Sequence, residues 1–374
     1  MKIALISVAP PFRGGISAHT SQLIQTLALK HEIICYNYKR QYPSFLFPGE
    51  TQYLNPKEYI KQSIECIDSI NPFTWFKVAR TIKKSGFNVV IFRFWNPFFA
   101  PMLVTIARRI KRMNNIKLIG LYDNLLPHEA QFYDRKFTNS FISEMDGHIV
   151  QSSKVELELL NLDNNAKVCT LFHPLYTKYG KSKLKVNSRE KLGIKAKFTI
   201  LYFGLVRKYK GLDILIEATS ILNEQRSDFE VLAVGESYDD SEPLLTSISN
   251  LKIENIFRWE NKFIPDDEIS DYFSACDIVV LPYRSASQSG IVQIAYHFNK
   301  PVIVTNVGGL PEIVEKGKSG DIVEPENPKK LANIISMYLD EKKIDNMSNY
   351  INSFKNKFSW NSFAEKMIDF INLI

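Results

Sequence analysis

The 374-residue sequence predicts an α/β protein made of two doubly wound domains in tandem, and three observations predict it. Short apolar runs alternate with stretches of helical periodicity through both halves of the chain. A polar, basic stretch over 178–197 interrupts the series once, and glycine-bearing loops recur directly after the apolar runs. Strand, helix, strand repeated in this way gives a parallel sheet with helices on both faces. A chain of this length divides naturally into two domains of roughly 100–200 residues each.

In order, the first series reads strand over Ile3–Val8, helix over Ser17–Lys30, and strands over Glu32–Asn37, Val89–Phe92, Lys117–Leu121 and Gly147–Gln151. After Pro174 the pattern loosens, and Lys178, Lys181, Lys183, Lys185, Asn187 and Ser188 read as a solvated linker into a new domain. The second series has strands over Phe198–Phe203, Glu230–Val234, Ile278–Leu281 and Val302–Thr305. Trp360, Phe363, Met367, Ile368 and Ile371 give the last stretch the spacing of a terminal helix packed on the body. The expected domains are 1–180, completed by a C-terminal helix at about 357–374, and 190–356. Open α/β sheets bind ligands at their carboxyl edges, so two tandem sheets place the natural site in a cleft between facing edges.

Composition narrows the function classes. With 45% apolar, 12% aromatic and 23% charged residues the chain folds into a globular core. The net charge of +7 comes from dispersed Lys and Arg and favours an anionic small molecule or surface, with no preference for nucleic acid. The aromatic cluster Phe92, Phe94, Trp95, Phe98 and Phe99 reads as packing, since the basic residues are not arranged around it. Cys35, Cys66, Cys169 and Cys276 lack metal-site or disulfide-framework spacing, which suits reduced thiols in a cytoplasmic protein. No window approaches the roughly 20 apolar residues of a membrane span, so membrane contact is expected to be peripheral.

Four glycine-bearing loops follow the expected strands: Gly14-Gly15, Gly204 with Arg207 and Lys210, Ser289-Gly290, and Gly308-Gly309. Glycine lets backbone amides approach a phosphate closely, and a following helix turns its positive end toward the anion. A guanidinium and an ammonium on one such exposed loop are what a diphosphate requires. The competing reading is that the glycines serve turns and the two cations are solvated.

At this point the chain resembles the family 4 glycosyltransferases, the "group 1" set with the two-Rossmann GT-B architecture. The resemblance runs over nearly the whole length. It rests on Gly14-Gly15-Ile16, Asp123 to Glu129, Phe203 to Gly211, and Val234-Gly235-Glu236. It continues through Phe263-Ile264-Pro265, Tyr272 to Tyr283, Ser289-Gly290, Lys300 to Ile303 and Gly308-Gly309-Leu310-Pro311-Glu312.

The resemblance implies a retaining transferase acting from a UDP- or GDP-sugar on a glycan or lipid-linked acceptor in bacterial surface polysaccharide assembly. No cofactor or bound metal is expected, so Arg207 and Lys210 would neutralise the leaving diphosphate. Amides at Gly14, Gly15, Gly204, Ser289 and Gly290 would assist them. Gly235, Glu236 and the backbone near Phe263 and Ile264 would line the nucleoside pocket, and Gly308, Gly309 and Glu312 would hold donor sugar or ribose. His128 resembles the histidine that relatives place near the transferred sugar, with Asp123 and Asn124 as acceptor or sugar contacts; a turn-capping histidine is the alternative.

One departure stands out. The family's helical glutamate, which contacts ribose hydroxyls, falls here on Ile294, and an isoleucine accepts no hydrogen bond. Gln293 and Gln288 are the candidate replacements. Carboxylates Glu129, Glu236 and Glu312 keep open a sugar-nucleotide epimerase or hydrolase of the same fold, and Ile294 keeps open a non-catalytic nucleotide-binding partner. Arg108, Arg109, Lys111 and Arg112, interleaved with apolar residues, offer a contact to anionic lipid on the inner face of the cell membrane; a solvated helix face is the alternative.

Overall fold

The structure is a computed structural model. It describes residues 1–43, 51–54, 59–111, 116–126, 132–237, 239–286 and 288–374. The chain divides into two compact units, Met1–Phe172 with Trp360–Ile374, and His173–Ser359.

In the first unit β1 (Lys2–Ile6), β2 (Glu32–Arg40), β3 (Ser63–Asp68), β4 (Val89–Phe94), β5 (Lys117–Tyr122), β6 (Gly147–Val150) and β7 (Val168–Thr170) form one sheet. Its order is β3-β2-β1-β4-β5-β6-β7, parallel throughout. Side chains of a strand alternate between faces, so β1 feeds two cores. Ile3 and Leu5 join Leu23, Ile24 and Leu27 of α1 (Gly15–Leu27) and Trp360, Phe363, Met367 and Ile371 of the C-terminal helix (Trp360–Leu373). Ala4 and Ile6 join Val78 and Ile82 of α2 (Pro72–Lys84), Leu103, Ile106 and Ile110 of α3 (Ala100–Lys111), and Phe141 of α4 (Phe132–Ile142). The order of strands reverses between β1 and β4, which opens a crevice at their carboxyl ends. The C-terminal helix returns to this unit because its apolar stripe has α1 to cover; each of its buried large side chains contributes about 1.5–3 kcal/mol. Lys117 Nζ also donates to the Ile371 carbonyl at 2.8 Å, next to the helix end.

After α5 (Ser153–Leu162) the second unit supplies α6 (Lys185–Leu192), β8 (Phe198–Phe203), α7 (Leu212–Asn223), β9 (Phe229–Val234), α8 (Glu242–Asn250), β10 (Phe257–Glu260) and α9 (Ile269–Ala275). It continues with β11 (Ile278–Leu281), α10 (Gly290–His297), β12 (Val302–Thr305), β13 (Gly320–Val323), α11 (Pro328–Tyr338) and α12 (Glu341–Phe354). The sheet order is β10-β9-β8-β11-β12-β13, again parallel. Phe198, Ile200 and Tyr202 of β8 point into the core lined by Leu215, Ala218 and Leu222 of α7. Among the described residues no helix is long and apolar enough to cross a membrane.

Two expectations change. β3, β7, β10 and β13 are absent from the sequence reading, and they are the four edges of the two sheets. An edge strand is covered less than an interior one, so its apolar run is broken by polar residues, as in Ser63-Ile-Glu-Cys-Ile-Asp68 with its exposed Ile64 and Glu65. The stretch 178–197 is not a solvated linker. It contains α6, and three of its lysines are held by two buried carboxylates. Lys183 and Lys191 donate to Asp271 at 2.7 and 2.6 Å, and Lys185 donates to Asp277 at 2.5 Å. Asp277 also accepts from the Thr199 amide at 2.8 Å, tying α6 to the first residues of β8.

Burial alone would raise the Asp271 carboxyl, but the bonds from Lys183 and Lys191 carry it below the usual range. A depressed folded value means stability that is present above the unfolded value, about 4, and lost as pH falls through the folded one. Asp271→Ala is therefore expected to lower stability by roughly 1–3 kcal/mol at pH 7. Urea unfolding at pH 7 and below pH 4 measures this: the gap between wild type and variant should narrow in acid.

Candidate active site

The second unit's site begins where β8 ends. Its six residues are all buried, and the strand stops at Gly204, whose φ of 109° lies in a region that favours glycine. Gly204 N still donates to the Val234 carbonyl at 2.9 Å, and Val206 N donates to the Glu236 carbonyl at 2.9 Å, so the loops after β8 and β9 stay zipped beyond the sheet. They are too close for a side chain at 235: a Cβ there would lie 1.9 Å from the Gly204 carbonyl oxygen.

The chain then makes a tight turn, with Lys210 N donating to the Arg207 carbonyl at 2.8 Å, and leaves it through Gly211 at φ 66°. A Cβ on Gly211 would lie 2.1 Å from the Pro282 carbonyl oxygen, so the turn presses against the end of β11. This geometry folds Lys210 inward. Its Nζ sits 3.5 Å from where a side chain at 204 would begin and 5.6 Å from the centre of the Tyr283 ring. Among the described residues no carboxylate pairs with it. Burial first, and the Arg207 charge second, lower its pKa to about 8.

Arg207, the other expected cation, is partly buried and donates to Asp239 at 3.0 Å; the same carboxylate accepts from Lys208 N at 3.2 Å. The two cations are thus not equivalent and are not simply solvated on an exposed loop. One is held by a carboxylate, and the other is turned inward, partly buried, with an aromatic ring beside it.

The remaining loops line up on neighbouring strands. Ser289 is buried and caps α10, its Oγ accepting from Ile291 N at 3.3 Å. Gly290 opens that helix, and a Cβ on it would come within 2.7 Å of the Tyr176 ring. Tyr283 hydrogen-bonds Ser289, and burial raises its phenol. Gly308, at φ 55°, follows β12 with Gly309, and exposed Glu312 lies in the turn Pro311–Ile313. Glu236 is partly buried, Phe263 is exposed and Ile264 is buried. Gly204, Gly235, Ser289 and Gly308 therefore stand at the carboxyl ends of β8, β9, β11 and β12, four adjacent strands. Ile294 packs inside at 4% exposure. Gln293 is fully buried with neither amide atom hydrogen-bonded, and the Gln288 Oε1 is likewise buried without a partner.

At the carboxyl edge of the first unit, Gly14 at φ 112° leads into α1 and is exposed with Gly15. Asp123, at the end of β5, is not open for a ligand: both its oxygens accept from Arg93, Nε at 2.7 Å and Nη2 at 2.5 Å. Arg93 is only 1% exposed, and its Nη1 meets His19 Nδ1 at 2.8 Å. Gln151 adds a longer bond to Asp123 at 3.5 Å. Asn124 is partly buried. His128 and Glu129 lie outside the described residues, as does Arg112. Within the expected basic patch Arg108 donates to Glu144 at 2.7 Å, Lys111 donates to the Glu144 carbonyl at 3.3 Å, and Arg109 lies 4.0 Å over the Phe76 ring.

Sequence reasoning missed Arg93, His19, Asp239 and Asp213, whose carboxylate accepts from Arg284 at 2.8 and 2.7 Å. Arg93 had a signal, a lone cation inside the apolar run Val-Val-Ile-Phe-Arg-Phe. The carboxylates had none, because their partners are distant in sequence. Among the described residues no three His, Cys, Asp or Glu side chains gather as a metal site would need.

Comparison with known proteins places this geometry. Residues 185–372, just over half the chain, match the family model described as glycosyl transferases group 1. Spore coat protein SA of Bacillus subtilis is 23% identical, with 98% of each chain covered. The Anabaena protein HepE, solved in complex with UDP, matches with a TM-score of 0.77 at 18% identity over 100% of both chains. Sucrose-phosphate synthase from Thermosynechococcus elongatus matches with a TM-score of 0.76 at 18% identity, over 100% of this chain and 98% of that one. At such identity these structures show the fold, two Rossmann-like units of the GT-B type. With half its length matched by the family model, the chain belongs to the glycosyl transferases group 1 and is a glycosyltransferase.

Proposed function

We propose that the chain moves a glycosyl group from a UDP- or GDP-sugar to a hydroxyl of a glycan or lipid-linked acceptor, with retention at the anomeric carbon. The bond from that carbon to the diphosphate breaks, a bond to the acceptor oxygen forms, and the hydroxyl proton leaves with the nucleoside diphosphate. One observation carries the reading: a partly buried ammonium, Lys210, turned inward at the glycine-rich carboxyl edge of the second unit and paired with no carboxylate among the described residues. An uncompensated buried cation is costly, and such groups cluster at functional sites. A diphosphate supplies the missing charge. HepE, of the same fold, was solved with UDP and also with UDP-glucose.

In this reading Lys210 takes the leaving diphosphate directly, without a metal. Arg207 joins it by exchanging Asp239 for phosphate oxygens, an exposed pair being worth about 1 kcal/mol or less. The amides opening α10 at Gly290 add the positive end of a helix. Gly235, Glu236 and the backbone at Phe263 and Ile264 receive the nucleoside, with Gly308, Gly309 and Glu312 toward sugar or ribose. Gln288 stands in for the absent ribose carboxylate. The first unit supplies the acceptor contacts, with Asn124 and His128 toward sugar and Asp123 as the group that orients Arg93. Exposed Arg109 and Lys111 support a peripheral contact with anionic lipid, and surface polysaccharide assembly is the role that fits a lipid-linked acceptor.

Calorimetry with UDP and GDP, followed by turnover with a panel of sugar nucleotides, tests the reading. Arg207→Ala with Lys210→Ala is expected to keep the fold and lose nearly all transfer; full activity in that double variant removes the diphosphate assignment. Turnover of donor without acceptor identifies a hydrolase instead, and binding without turnover identifies a silent partner.

Lys210→Met separates function from stability. The folded pKa of about 8 lies below the unfolded value, so the charged form is disfavoured by folding below pH 8, and the penalty is relieved between about 8 and 10.5. The variant is expected to bind nucleoside diphosphate at least tenfold more weakly, and to be more stable than wild type at pH 7 by up to about 3 kcal/mol. Denaturant titration should show that gain shrinking as pH approaches 10.5.

A further inference from the structure

We propose that Arg284 is the positioning residue of this site: it grips the Arg207–Gly211 turn from outside and so keeps the Lys210 ammonium in its inward-turned, partly buried seat. The proposal rests on the diphosphate reading above.

Arg284 follows the Pro282-Tyr283 pair at the end of β11. That short segment touches the turn at four places. The Pro282 carbonyl abuts Gly211, and the Tyr283 ring faces Lys210. Arg284 N donates to the Tyr209 carbonyl at 2.7 Å, and Arg284 Nη1 donates to the Lys208 carbonyl at 2.9 Å. The guanidinium is itself anchored. Nη1 and Nη2 form a fork on the Asp213 carboxylate at 2.8 and 2.7 Å, in the first turn of α7, and Nε donates to Glu326 at 2.8 Å. A planar fork with several fixed partners holds one geometry, which an ammonium in its place does not.

Two further features fit a built device. Glu326 has φ 54°, an unusual backbone for a residue with a side chain, on the segment between β13 and α11 that brings its carboxylate to Arg284. Thr305 Oγ1 of β12 donates to the Tyr283 carbonyl at 2.5 Å, so the gripping segment is itself pinned by the neighbouring strand. Nothing in this arrangement neutralises Lys210. Arg284 spends its own charge on Asp213 and Glu326, whose carboxylates are thereby kept from pairing with the ammonium. The clamp fixes position while leaving the site's positive charge available.

Among the described residues the titratable groups near Lys210 are Arg207 on its own turn and Tyr283 from the β11 end, with Tyr209 and Tyr202 close to that tyrosine and Asp213 close to Tyr202. Of these, only Asp213 carries a negative charge near neutral pH, and Arg284 occupies both its oxygens.

UDP, GDP and inorganic pyrophosphate are titrated calorimetrically into wild type, Arg284→Gln, Arg284→Lys and Asp213→Ala from pH 6.5 to 9.5, with circular dichroism to confirm folding. In wild type the affinity for the best of the three should fall above about pH 8, as the ammonium loses its proton. Arg284→Gln should bind more than tenfold more weakly at pH 7, and its alkaline fall should move up by about a unit or more, because the released ammonium regains an ordinary value. Asp213→Ala, at the surface end of the clamp, should move both readouts the same way by less, and Arg284→Lys should recover part of the affinity. Loss of stability alone would not move the alkaline limb. A folded Arg284→Gln, or Asp213→Ala if the former does not fold, that binds within twofold of wild type with an unmoved limb overturns the clamp alone. If wild type binds none of the three probes, the diphosphate reading fails and the clamp falls with it.

Discussion

A partly buried cation that no carboxylate pairs among the described residues is the constraint around which the second unit's site is arranged. Charged side chains enter protein interiors when they are paired, and an unpaired one shifts its pKa or finds a ligand. Lys210 is unpaired because of where glycine permits the chain to go. Gly204 turns the strand, Gly235 lets the next loop lie against it, and Gly211 closes the turn against Pro282. The approaches at Gly235 and Gly211 are incompatible with a side chain, and the φ of Gly204 favours glycine. Together they turn inward an ammonium that a wider loop would leave in water.

The first unit shows the opposite solution at the same level of its sheet. Arg93 is more deeply buried than Lys210, yet its donors are met by Asp123 and His19. His19 in turn packs edge-on against Trp360 and Phe363 of the C-terminal helix, at 4.7 and 5.7 Å between ring centres. A buried cation paired in this way makes a rigid floor, whereas an unpaired one makes a binding site. The contrast assigns different work to two inward-turned cations, one paired and fully buried, the other unpaired and partly buried. It also recasts Asp123, which the sequence offers as a ligand contact, as the partner of Arg93.

How much of this was legible in the sequence follows from burial. The nine interior strands of the two sheets are covered on both faces and read as apolar runs; Phe198–Phe203, Ile278–Leu281 and Val302–Thr305 are found to the residue. The edges β3, β7, β10 and β13 are short or broken by polar residues, solvent-exposed in β3 and β10 and buried at Asp321 in β13, and leave no such run. Glycine loops and the Arg207–Lys210 pair were visible because their spacing is local. Their inequality was not, since it depends on Asp239, thirty-two residues after Arg207, and on the burial produced by Gly211. The cations of 183–191 misled for the same reason: Asp271 and Asp277 lie some eighty to ninety residues away in sequence.

The central claim, that the diphosphate is the missing partner of Lys210, is tested most directly by nuclear magnetic resonance of the lysine side-chain amines, with Lys210 assigned by substitution. The account predicts a Lys210 titration near pH 8 in the free protein, moving above 10 when nucleoside diphosphate is bound. An ordinary lysine value in the free protein, or a value unchanged by saturating nucleotide, would contradict it.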